Sequence, residues 1–76
     1  MSDDWKVRLH NETMDLRDKL VRLSEFIDGK DTGFSKMSPM DRSLLIHQRQ
    51  AMKHYLDILN TRCQRAGIEV YTEVTP

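Results

Sequence analysis

A chain of 76 residues holds one domain at most, and a domain of that size buries only about 60% of the surface its unfolded chain exposes, so it is marginal alone. Twelve Lys and Arg balance twelve Asp and Glu, for a formal net charge of zero, which argues against the basic field of a general nucleic-acid-binding module. The single cysteine, Cys63, permits no internal disulfide; without a run of about 18 apolar residues or a signal-peptide core, the expectation is a soluble, cytoplasmic protein.

The first segment, SDDWKVRLHNETMDLRDKLVRLSEFIDG, opens on Ser2 and acidic residues, has no internal Gly or Pro and stops at Gly29. These features predict a helix over residues 3–28. A loop over 29–38 follows. In SPMD, Ser38 suits an N-cap, Pro39 the first helical position and Asp41 the capping-box acid, which predicts a second helix over 39–66 closed by Gly67 in the left-handed conformation. The tail at 68–76, IEVYTEVTP, alternates β-branched residues with polar ones and reads equally as a pairing strand or as disorder. Residues 1–67 thus form a single helical-hairpin domain, with no internal repeat and no low-complexity segment.

Placed at about 100° per residue, Trp5, Leu9, Leu16, Leu20, Leu23 and Ile27 fall on one stripe of the first helix. In the second, Leu45, Met52, Leu56, Leu59 and Cys63 do the same, widened on one side by Leu44, Ala51, Tyr55 and Ile58. Both stripes are spaced in alternating threes and fours, the seam of coiled-coil-like packing, so the two helices should fold back as an antiparallel hairpin. Val7, Met14 and Val21 recur on the opposite face of the first helix, and the apolar arc of the second, roughly 160° wide, exceeds what one partner helix covers. The expected fold is therefore all-α: a hairpin that oligomerises into a helical bundle, association being a common remedy for a small core. Three scattered apolar residues on a surface are also unexceptional.

His47, Gln50 and His54 map to the solvated back of the second helix, and two histidines seven residues apart do not match the i, i+4 spacing of a helical metal pair. Gln48 and Tyr55, by contrast, lie inside the apolar arc. Aligned symmetrically about the loop, facing residue numbers total about 67, which sets Lys19 beside Gln48 and Glu12 beside Tyr55 as two polar layers in an apolar seam. Such layers can serve as register devices, because a buried polar group must be paired. The functional alternative is that they line a ligand cavity between hairpins together with Arg8, Arg49 and Lys53, where Tyr55 offers a stacking surface and the cations receive phosphate.

Catalysis finds little support in this chain. Cys63 sits on the buried stripe with no histidine beside it, and Ser24, Ser35, Ser38 and Ser43 have no evident base. No phosphate loop, zinc-protease helix or Cys-x-x-Cys motif is present, so no cofactor or metal is expected and the chain reads as a non-enzyme. Charges mixed in sign also argue against a membrane-binding amphipathic helix.

The pattern RLHNETMDLRDKLVRLSEFI, then Phe34, then LLIHQRQAMKHYLDILNTR resembles a group of very short bacteriophage proteins of two helices. The matching positions include Arg8, Glu12, Leu16, Lys19, Leu20, Gln48, Met52, Tyr55 and Leu59, across residues 7–63; Arg49, where an aliphatic residue is usual, and the β-like tail depart from the pattern. The resemblance implies a phage accessory protein made in the cytoplasm of an infected bacterium. By analogy of setting and architecture, it points to the oligomeric sponges that bind nucleotide immune signals and silence defence systems of the CBASS or Thoeris type. The expected ligand groups, Arg8, Glu12, Lys19, Gln48, Arg49, Lys53 and Tyr55, come from helix geometry alone. The alternative expectation is a protein-interaction module in which Val7, Met14 and Val21, or the tail, capture a host or phage protein, with methionines such as Met37, Met40 and Met52 as adaptable contacts.

Overall fold

A computed structural model describes residues 4–69. Helix α1 (Asp4–Asp28) and helix α2 (Pro39–Arg65) pack against each other as an antiparallel pair, linked by a connection that contains a single 3-10 turn at Phe34–Lys36. The strand-or-disorder expectation for the tail falls, from residue 70 onward, outside the described residues.

Local chemistry accounts for each helix end. Asp4 places a carboxylate at the positive end of the α1 dipole. At the other end, the Gly29 N–H donates to the Glu25 carbonyl at 2.9 Å, and the Thr32 hydroxyl turns back to donate to the Phe26 carbonyl at 2.6 Å. The fit there is close: a Cβ on Gly29 would stand 2.6 Å from the Glu25 carbonyl oxygen and 2.8 Å from Thr32 Cγ2. Phe34 then packs edge-on against Phe26, ring centroids 6.0 Å apart, and ties the connection to the last turn of α1.

Helix α2 begins as its sequence dictates. Ser38 is extended, its Oγ accepts from the Asp41 N–H at 3.1 Å, and Pro39 occupies the first turn. The far end closes in a Schellman arrangement: Gly67 takes φ 73°, its N–H donates to the Gln64 carbonyl, and the Ile68 N–H reaches the Cys63 carbonyl at 2.9 Å. The turn folds Ile68 back onto the core.

That core consists of Leu9 and Leu16 from α1 and Leu56, Leu59 and Cys63 from α2, with Leu20 and Met52 packed at its edge. Thr13 is buried among them, fully shielded from solvent. It stands at i+4 from Leu9 and i−3 from Leu16, a seam position by spacing that its hydroxyl disguises. The hydroxyl bonds within its own helix, to the Leu9 carbonyl at 2.7 Å, and lies 3.4 Å from Cys63 Sγ.

The register differs from a fold-back symmetric about the loop. Thr13 meets Cys63 and Asp28 meets Arg49, pairs whose residue numbers total 76 and 77 in place of 67, although the long side chains of Glu12 and Tyr55, which total 67, still meet. The molecule is accordingly 51 Å long, whereas a 27-residue helix spans about 40 Å. The cause lies in the connection: after Asp28 it runs on along the direction of α1, anchored by Thr32 and Phe34, before α2 turns back. The helices are therefore staggered. Trp5, expected on the buried stripe, lies beyond the end of α2 and is 48% exposed; Met40 and Leu44 project past the end of α1 at 67% and 57%.

Candidate functional site

One groove runs along α1. Arg8, Asn11, Glu12, Asp15 and Lys19 recur at helical spacing on the flank beside the core seam, Leu16 forms the floor, and Tyr55 closes the groove from α2. Its volume, about 440 Å³, falls within the range of small-molecule sites, although its outer side is open to solvent. The phenol of Tyr55 donates a hydrogen bond to Glu12 Oε2, which holds the ring against α1 while leaving 43% of the residue exposed.

The order of charges along the groove sets what it can hold. Arg8 and Lys19 stand at its two ends, about 16 Å apart along the axis, and Glu12 and Asp15 lie between them. The end groups suit phosphate oxygens, Arg8 as a planar fork and Lys19 as a point charge. The central carboxylates and the Asn11 amide suit hydroxyls, as an acidic residue does for a ribose in dinucleotide sites. Tyr55 presents a face on which a base can stack. The two positive and two negative groups cancel, so a bare polyphosphate gains little here.

Of the seven residues singled out from the sequence, Arg8, Glu12, Lys19 and Tyr55 share this groove. Gln48 and Lys53 are exposed on α2 outside it, and Arg49 is turned toward the end of α1, where its Nη1 donates to Asp28 Oδ2 at 3.0 Å. The stagger explains the division: Arg49 and its neighbours lie level with the C-terminal part of α1, away from the Arg8–Lys19 stretch. Arg49 thereby supplies the positive group that the last turn of α1 lacks. Of the two expected polar layers, Glu12 and Tyr55 are joined, while Lys19 and Gln48 share no hydrogen bond. Asn11, one turn from Arg8, and Asp15, one turn from both Glu12 and Lys19, complete the same flank, and that spacing is their signal in the sequence. His47 and His54 are exposed on the back of α2, and among the described residues no group of His, Cys, Asp or Glu is gathered to hold a metal ion.

A comparison with protein families matches residues 3–65 to Sequestin. The chain belongs to the Sequestin family. The match takes in both helices, the groove and the core of this Sequestin hairpin. No curated protein and no solved structure matches it. Among the described residues, no helix of this family member is long and apolar enough to cross a membrane.

Proposed function

We propose that this protein is a phage accessory protein that binds and sequesters a nucleotide-derived immune signal in the cytoplasm of an infected bacterium, and so inhibits anti-phage defence. The observation that carries this reading is the groove itself: cations at its ends, carboxylates and an amide between them, and an aromatic wall, an order that complements phosphates, ribose hydroxyls and a base. The name of the family, that of a sequestering protein, supports it. The mode of action is stoichiometric. The protein removes the signal by holding it, with the Tyr55 phenol engaged as a hydrogen-bond donor to Glu12.

Native mass spectrometry of the purified protein mixed with cyclic and ADP-ribose-derived nucleotides tests the proposal. Retention of one such nucleotide at a fixed ratio per protomer is the expected result, with unmodified recovery of the nucleotide on denaturation. Release of a chemically altered product would replace sequestration by catalysis, and an empty protein across the panel would remove the reading.

A second reading, capture of a host or phage protein, draws on the exposure of Val7 and Val21, 58% and 48%, on the face of α1 turned away from α2. It predicts that the protein stays empty of nucleotide and that charged substitutions at Val7 and Val21 abolish its activity in infected cells while leaving the hairpin folded.

A further inference from the structure

Helix α2 carries a second seam beside the one packed on α1. Asp41, Leu44, Gln48, Ala51, Tyr55, Ile58 and Arg62 follow one another in alternating steps of three and four, and every one of them is exposed in the hairpin. This is the spacing of a coiled-coil face. Leu44, Tyr55 and Ile58 leave 57%, 43% and 45% of their surfaces in solvent, a costly arrangement for a chain with so small a core.

The order of the seam identifies its occupant. Reversed, it is its own complement: Asp41 matches Arg62, Leu44 matches Ile58, Gln48 matches Tyr55, and Ala51, at the centre, matches itself. We propose that two copies of the chain pair through α2, antiparallel about a two-fold axis beside Ala51, and that the partner's Gln48 forms the missing outer wall of each groove. The pairing is isologous, as a two-fold interface requires. It places an acid from the first turn of one helix beside a base from the last turn of the other, at both ends of the interface. A parallel pairing would instead set Arg62 on Arg62 of the partner subunit and Asp41 on the partner's Asp41. At the axis the small Ala51 side chains permit the close approach, about 8 Å, at which the flanking Leu44 and Ile58 interdigitate.

The consequence for the site follows from Tyr55, which belongs to both surfaces. It lines the groove and bonds Glu12, and it is the seam position facing Gln48 of the partner subunit. The amide of the partner's Gln48 then stands at the open side of the groove, able to donate to a phosphate or accept from a base edge. This last step rests on the nucleotide-binding reading above. The pairing itself does not.

Sedimentation velocity of the intact chain without nucleotide decides the pairing. The expected species has twice the 9.0 kDa mass of the chain. Ala51→Glu sets two like charges against each other at the axis and should weaken association by at least about 100-fold while circular dichroism reports undiminished helix. Asp41→Arg and Arg62→Asp should each weaken it by about 10-fold or more, and the double variant should restore it, although both changes oppose the helix dipole; only an antiparallel two-fold pairing gives that rescue. A monomeric wild type, a dimer indifferent to Ala51→Glu, or a double variant no better than its singles would each overturn the proposal. Within an intact dimer, Gln48→Ala should lower nucleotide affinity by about 10-fold; unchanged affinity would remove Gln48 from the site. A dimer that binds no nucleotide at all would overturn the function proposed above and leave the interface standing.

Discussion

Thr13 shows how a polar residue can occupy the tightest place in a small core. Its hydroxyl donates to the Leu9 carbonyl one turn back, so its own polar group is buried with a partner. Leu59, fully buried opposite, has no such freedom. Leu59→Ala should cost about 2–5 kcal/mol, enough to unfold much of the population of so small a domain, and chemical denaturation of the two chains measures the difference. In the groove the predictions concern binding. Tyr55→Phe keeps the ring and loses the hydroxyl held by Glu12, and should lower nucleotide affinity by less than about 10-fold; Tyr55→Ala also removes the stacking face, worth about 1–3 kcal/mol, and should lower it by about 10- to 100-fold. Equal losses for the two variants would mean that the hydrogen bond, not the ring, carries the contact.

Among the elements, the helix ends and the seam could be read from the sequence, whereas the register could not. Ser38, Pro39 and Gly67 act through their own backbone geometry, which is local, and Leu9, Leu16, Leu56 and Leu59 are separated by spacings that leave one face to bury. The stagger depends instead on how the connection spends its length, fixed by Thr32 bonding to Phe26 and by Phe34 lying against Phe26, contacts that no periodicity encodes. The stagger sets Arg49 beside Asp28 and leaves Gln48 and Lys53 outside the groove of a single chain, while Asn11 and Asp15 join Arg8, Glu12 and Lys19 on its α1 wall. Trp5 has the periodicity of a core residue and lacks only a helix opposite it. Two substitutions test these ends by thermal unfolding. Ser38→Ala removes the acceptor for the Asp41 N–H and should cost about 1 kcal/mol. Gly67→Ala forces a side chain into φ 73° and should cost about 1–2 kcal/mol; a neutral result would mean that the α2 terminus unwinds without loss to the core.

For the whole molecule, the deciding quantity is how little a hairpin of 76 residues can bury by itself. Among the described residues, five apolar side chains form its buried core, while eight large apolar residues are exposed, several of them on a face with the spacing of a further helix contact. The pairing proposed through that face would join stability to function, since Tyr55 stands at once in the groove and on the seam. Stability should then rise with protein concentration, and ligand should raise it further, by about 2.7 kcal/mol at one hundred times the dissociation constant. The most direct test of the central claim is calorimetric titration of the protein with ADP-ribose-derived and cyclic nucleotides, repeated for Lys19→Ala and Tyr55→Ala. Saturable binding of one nucleotide at a fixed ratio per chain, weakened by about 10-fold or more in both variants while their helix content stays that of the parent, is the predicted result. Affinity unchanged by both substitutions, or no heat from any nucleotide in the panel, would contradict it.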